Sequence, residues 1–167
     1  MPAQNKNLSP TKKIYANYKI QLNNAFEKIN LSNIDKACKI IERTIKSKAK
    51  IFVAGNGGSA AVSNHFICDF LKNVKYNSSL KPKIISLSNN VEAIMAISND
   101  LGYDESLSYQ AKSLAEPKDA FVILSSSGSS ENIINLVKFA KKNKNKVIGI
   151  SAFTGGFLKK NSDVHIF

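Results

Sequence analysis

The segment Gly55-Asn56-Gly57-Gly58-Ser59-Ala60-Ala61 follows directly on the apolar run Ile51-Phe52-Val53-Ala54. A short unbroken apolar run reads as a strand buried on both faces, as in a parallel sheet. Helical potential begins at Ser59 and extends to about Asn73. Strand, glycine loop and helix start in direct succession demand an α/β fold, and they build an anion site. Glycine lets the backbone approach a ligand, and the free amides of the first helical turn point at negative charge. A phosphorylated ligand is expected.

A dinucleotide is one such ligand. Gly55-x-Gly57-x-x-Ala60 fits the loose dinucleotide fingerprint, which also requires an acidic residue near the end of the second strand to hold a ribose hydroxyl. Here that strand, Lys83 to Leu87, runs into Ser88-Asn89-Asn90, with no carboxylate. No nucleotide cofactor is expected. A second loop points to a smaller ligand. Phe121-Val122-Ile123-Leu124 reads as another buried strand and leads into Ser125-Ser126-Ser127-Gly128-Ser129-Ser130-Glu131-Asn132. Five serines around one glycine supply hydroxyls and backbone amides suited to one compact phosphate monoester. A plain helix cap at Ser129 or Ser130 is the competing explanation, but a cap needs only one serine.

The formal net charge is +12, which raises nucleic acid or an anionic surface as a partner. Arg43 is the only arginine, and the lysines are scattered, many of them near helix ends, as in Lys46, Lys48 and Lys50 or Lys141, Lys142, Lys144 and Lys146. Lysine at a helix C-terminus complements the dipole, whereas base and bidentate phosphate readout favours arginine. The charge is therefore assigned a modest role in attracting anionic substrates, with no nucleic-acid partner. Cys38 and Cys68 show no metal spacing and are expected as buried, reduced thiols of a cytoplasmic protein. Residues 1–10 are polar, without the apolar core of a secretory signal, and read as a disordered tail. No run reaches membrane-spanning length.

Along the chain, Ile14, Tyr18, Leu22, Ala25, Phe26 and Ile29 form one stripe of an amphipathic helix from Thr11 to about Ile29. Ser32 is placed as the N-cap of a second helix with Ile34, Ala37, Cys38, Ile41 and Ile45 on one face. Five strands are expected at Lys50–Ala54, Lys83–Leu87, Asp119–Leu124, Lys146–Ile150 and Val164–Phe167. Helices lie between them: one from Ser59, a short one from Val91 to Ile97 broken by Asn99-Asp100-Leu101-Gly102-Tyr103, one from Glu105 to Ala115, one after the serine loop, and a short piece after Gly155-Gly156. This alternation predicts an α/β fold: a doubly wound, parallel five-stranded sheet with helices on both faces. The two N-terminal helices precede it and are expected outside it. Both loops then fall at the carboxyl ends of strands, where such sheets bind ligands, as one site. A covering helix normally follows the last strand, so residues 11–167 read as a single domain lacking its C-terminal helix.

Gly55-Asn56-Gly57-Gly58-Ser59-Ala60-Ala61 with His65-Phe66, then Ala96-Ile97-Ser98-Asn99-Asp100-Leu101-Gly102-Tyr103, then Ser125-Ser126-Ser127-Gly128, strongly resemble the phosphoheptose isomerases, small members of the sugar isomerase (SIS) fold. The resemblance implies interconversion of sedoheptulose 7-phosphate and a heptose 7-phosphate for envelope polysaccharide synthesis, including lipopolysaccharide and capsule. It also implies a homotetramer with active sites between subunits. It assigns phosphate and sugar binding to Asn56, Gly57, Gly58, Ser59, Ser125, Ser126, Ser127 and Ser130, and contacts with sugar hydroxyls to Asn99 and Asp100. Some members bind zinc through positions matching His65 and Asp69 together with two residues of the C-terminal helix.

The residues suit the chemistry. Ketose–aldose isomerisation moves a proton between adjacent carbons through an enediol and needs a base, a partner acid and polarisation of the carbonyl. Ala61, His65, Asp69 and Asn73 lie four apart and share a helix face. His65 and Asp69 are the catalytic candidates, Asp69 also a substrate contact, and the pair can share a metal. Read without the flanking motifs, they are a surface ion pair. The family usually has glutamate at the position of Asp69 and often arginine at that of Asn73. His165 does not match its catalytic histidine and is read as structural. A non-catalytic SIS protein, a sugar-phosphate sensor or partner-binding tetramer related to replication-initiator-associating proteins, is the alternative.

Overall fold

The computed structural model describes residues 9–167. The tail expected over residues 1–10 lies, for residues 1–8, outside the described residues. Pro10 already opens a helix, because Ser9 caps it by accepting from the Lys12 amide (3.4 Å) and proline is preset for a first helical position. The chain divides into two units, Met1–Asn30 and Leu31–Phe167. The first holds α1 (Pro10–Glu27), which buries no residue; Ile14, Tyr15, Tyr18 and Phe26 are all exposed.

In the second unit, α2 (Leu31–Lys46) leads into β1 (Lys50–Gly55) and α3 (Gly58–Cys68). The helix continues beyond α3 as a π-helical segment, Asp69–Val74. Then come β2 (Lys83–Ser86), α4 (Val91–Leu101), a 3-10 turn (Tyr103–Glu105), α5 (Ser108–Leu114), β3 (Ala120–Leu124), α6 (Glu131–Lys142), β4 (Lys146–Ile150), α7 (Gly156–Asn161) and β5 (Val164–Ile166). All strands are parallel, in the order β2-β1-β3-β4-β5. The chain steps outward from β1 to β2, then returns past β1 to β3. The switch point therefore lies between β1 and β3, where this strand order places its ligand crevice.

Side-chain alternation builds two core layers from the same strands. Phe52 and Ala54 of β1, with Phe121 and Ile123 of β3, face Ala111 of α5, Ile133, Leu136 and Val137 of α6, and Leu158 of α7. Ile51, Val53, Val122 and Leu124 face the other way, toward Ala37 and Ile45 of α2 and Phe66 and Ile67 of α3. Since both faces are covered, residues 51–54 of β1 and all of β3 are unbroken apolar runs. Among the described residues no helix is long and apolar enough to cross a membrane.

Four local expectations need correction. Helix α2 covers one face of the sheet rather than lying outside it, and it begins at Leu31, so Ser32 sits in its first turn and not at its cap. Its inward stripe is Ala37, Thr44 and Ile45 with Ile40 and Ile41; Cys38 falls at the edge of that stripe, beyond Ile45, and is exposed. Cys68 is exposed too, so neither thiol is buried. Asn99 and Asp100 do not break α4 but occupy its last turn, and the helix stops only at Gly102 (φ +100°).

Candidate active site

Gly55 and Leu124, the last residues of β1 and β3, are register partners. Adjacent strands are about 4.8 Å apart, so the glycine and serine loops leave the sheet side by side. The glycine loop is held from the β2 side by Ser88, whose Oγ accepts from the Gly55 amide (3.1 Å) and donates to the Gly55 carbonyl (2.8 Å). Gly57 precedes α3 with φ +52°, ψ −121°, a conformation that side chains disfavour. The turn is closed by amides of Ser59 and Ala60 bonding to the Asn56 carbonyl. Gly57 and Gly58 are exposed, at the positive end of α3.

The serine loop is braced from below. Ser125 is buried, and its Oγ accepts from the Gly128 amide (3.1 Å), so its hydroxyl shapes the loop. Gly128 (φ +66°) lies against Gly155, where a Cβ would collide with the Gly155 carbonyl oxygen. The Leu158 amide bonds to the Gly128 carbonyl (2.9 Å) and the Ala152 amide to that of Ser126 (3.0 Å). Ser126, Ser127 and Ser129 remain exposed, and the Ser127 Oγ accepts from the Ser129 amide (3.2 Å). Ser130 stands at the N-cap of α6, yet its side chain makes no capping bond.

One contact joins the two loops directly. The Asn56 Nδ2 donates to Asn132 Oδ1 and the Asn132 Nδ2 donates to Asn56 Oδ1, both at 2.8 Å. Asn132, in the first turn of α6, is only 1% exposed. The Tyr103 hydroxyl, just past α4, also donates to Asn56 Oδ1 (3.0 Å). Asn132, Tyr103 and Ser88 carry no site assignment in the sequence reading. Asn132 and Tyr103 stand inside segments that it singled out, but neither residue type at its position announces a partner.

The remaining candidates lie apart from the loops. His65 is about 9 Å and Asp69 about 15 Å along the helix from Ser59, at 1.5 Å per residue. His65 Nε2 is 3.6 Å from Asp69 Oδ2, and the other oxygen, Oδ1, accepts from Asn73 Nδ2 (3.1 Å). Asp69 opens the π-helical segment, the kind of irregularity that frequently marks functional sites. The side chains of His65 and Asp69 are 76% and 48% exposed. Asn99 donates to Asp100 (2.8 Å) on the exposed end of α4. Among the described residues, no hydrogen bond or ion pair ties His65, Asp69, Asn99 or Asp100 to either loop. No three His, Cys, Asp or Glu side chains converge there either. His65 and Asp69 provide two donors, short of the four ligands of a closed zinc site or the three of an open one. They do not by themselves make a zinc centre.

Two nearby groups have shifted acidities. Lys112, then Ser108, hold the Glu105 carboxyl below its usual range against the opposing push of burial. Burial first, then the charge of Lys159, push the His165 ring below its usual value. His165 Nε2 lies 2.7 Å from Ser151 Oγ, and its carbonyl accepts from Asn33 (2.9 Å), so β5 is tied to β4 and α2 through this residue.

A parallel sheet with a glycine loop and a serine loop paired at its switch point is the frame of a SIS domain, and residues 14–152 match the SIS domain family. The chain is 35% identical over 142 residues to a phosphoheptose isomerase of Campylobacter concisus, covering 84% of this chain and 74% of that one. It is 38% identical over 136 residues to one of Buchnera aphidicola, covering 81% and 69%. The structure of phosphoheptose isomerase from Neisseria gonorrhoeae superposes with a TM-score of 0.81 at 28% identity, over 95% of this chain and 86% of that one. One from Francisella tularensis shares the fold at 0.83. The chain belongs to the phosphoheptose isomerase family.

Proposed function

We propose that the chain interconverts sedoheptulose 7-phosphate and glycero-manno-heptose 7-phosphate through an enediol. The observation that carries this reading is the pairing of the two loops, which leave the sheet from register partners and are bonded through Asn56 and Asn132. Exposed Ser126 and Ser127, Ser130 and the amino end of α3 are the donors for the phosphate. Ser59 and Asn56 flank the sugar. Asp69 serves as base, taking a proton from one carbon and returning it to the next, with His65 as the partner acid. The named relatives are isomerases, and the His65–Asp69 pair is in place, which favours the catalytic reading over a sensor or scaffold.

The His65 side chain is exposed and that of Asp69 half-exposed, and among the described residues no hydrogen bond or ion pair ties either to the loops. Their placement supports a site completed by a second copy of the chain, within a homotetramer. The exposed apolar side of α1 supports the same assembly. Zinc belongs to this proposal only as an ion shared across subunits, because His65 and Asp69 give two donors. The product would feed envelope heptose synthesis in the cytoplasm.

The test is conversion of sedoheptulose 7-phosphate by the purified chain, followed by NMR of the products, with light scattering on the same sample. Turnover by a tetramer is expected. Tight binding of the sugar phosphate without turnover would overturn the catalytic reading in favour of a sensor. Turnover by a clean monomer would overturn the shared site.

A further inference from the structure

The bonding capacity of the Asn56 amide is almost fully used inside the protein. A side-chain amide oxygen accepts two hydrogen bonds and its nitrogen donates two. The Oδ1 of Asn56 takes one bond from Tyr103 and one from Asn132, and one of its two N–H groups goes to Asn132 Oδ1. The carbonyl end is saturated, and among the described residues a single N–H is left without a partner. Asn56 is only partly exposed, between the glycine loop and the start of α6. Asn132 cannot turn away to water, since it is buried. Tyr103 blocks the other lone pair from the open side, being 55% exposed itself.

We propose that Asn132 and Tyr103 are positioning residues that lock the Asn56 amide in one orientation, so that it meets the ligand as a donor only, through one fixed N–H aimed at an oxygen of the sugar phosphate. A free asparagine could turn either end to a ligand. This one offers no acceptor, which disfavours donors and selects carbonyl, enediolate or phosphate oxygens. Neither residue touches the ligand; both act through Asn56. Tyr103 closes the turn that follows Asn99 and Asp100, so the same bond fixes the end of α4 relative to the phosphate loops. This inference rests on the isomerase reading for its substrate but not for its geometry.

The variants are Tyr103→Phe, which deletes one hydroxyl, and Asn132→Asp, which keeps the shape and loses the donor to Asn56. Each is made in the unaltered chain and in Asn56→Ala. In the unaltered chain, kcat/KM for sedoheptulose 7-phosphate should fall about tenfold for Tyr103→Phe and more for Asn132→Asp, since an amide free to rotate is a misplaced donor. In the Asn56→Ala background neither should cost anything further, because residues acting through one partner are non-additive. Unchanged kcat/KM in the single variants, or additive losses in the doubles, would overturn the proposal. A structural role alone would lower the melting temperature and leave this coupling at zero.

A substrate-free measurement separates this inference from the choice of reaction. In ¹H–¹⁵N spectra of the unaltered chain, the two Asn56 side-chain protons should differ in exchange with solvent, one protected by Asn132 and one open. Asn132→Asp should change that pattern. Two equally exposed protons would defeat the proposal even if the sugar is turned over. Protected and open protons in a chain that ignores the sugar would leave the clamp standing and remove the isomerase reading.

Discussion

Asn56 and Asn132 face each other across the mouth of the sheet and exchange two hydrogen bonds of 2.8 Å. One belongs to the glycine loop after β1, the other to the helix that follows the serine loop after β3. The bonds join the glycine loop to the helix after the serine loop, at the place where the strand order reverses. The consequences can be tested residue by residue.

Gly128→Ala should damage the site from beneath. The added Cβ meets the Gly155 carbonyl, and Gly128 sits at φ +66°, where side chains are strained. A loss of about 1–3 kcal/mol in denaturant unfolding is expected, with weaker sugar-phosphate binding. Full stability and unaltered affinity would mean the loop can move off Gly155 without consequence.

Asp69→Asn should separate chemistry from folding. The side chain is half exposed, and its partner His65 lies 3.6 Å away, so the melting temperature should barely change. Removing a positioned base should cost about 10² to 10⁴ in kcat. A variant that turns over sedoheptulose 7-phosphate at the unaltered rate would remove Asp69 from the reaction.

Asp119 is expected to matter for stability alone. It is 2% exposed, and its carboxylate accepts from the Lys50 amide (2.7 Å), the Glu116 amide (2.8 Å) and the Lys50 ammonium (3.4 Å). These bonds pin the start of β1 to the start of β3, at the edge of the sheet remote from the loops. Asp119→Ala strands the Lys50 and Glu116 amides, while the Lys50 ammonium keeps the Leu114 carbonyl and Glu116, and should cost about 2–3 kcal/mol. Sugar-phosphate affinity of the folded protein should be unchanged; a large loss of affinity would argue that the register of β1 and β3 had slipped.

His165 should confer a pH dependence of defined sign. Its folded value lies below the ordinary 6.5, from burial and then Lys159. Well above 6.5 the ring is neutral in both states and makes no difference. As pH falls through 6.5 the unfolded chain binds the proton first, so stability drops, and the loss levels off once pH passes below the folded value. His165→Gln should flatten this part of the melting-temperature profile between about pH 8 and 5. Superimposable slopes for the two proteins would show that the ring titrates alike folded and unfolded.

Much of this protein is local, and local features are readable in its sequence. The apolar runs at Ile51, Phe121 and Val147 are strands because both their faces are buried. Glycine at 57 and serines around 128 mark the turns because only certain residues permit those backbones and supply those donors. The order of strands and helices, and the loops at strand ends, follow from that alternation. Tertiary structure alone decided the rest. Asn132 lies 76 residues from Asn56, and Tyr103 lies 47 from it, so no periodicity can pair them. The inward stripe of α2 takes Thr44 and leaves out Cys38 because the sheet sets the helix's rotation, not its composition. Asn99 and Asp100 stay helical because α4 runs on to Gly102, overriding their preference for turns. Sequence spacing put His65 and Asp69 on one helix face, but that their side chains stand exposed to solvent is decided by how the helix packs on the sheet. Propensity acts over a few residues, whereas a binding site is assembled by contacts whose partners the chain brings together only by folding.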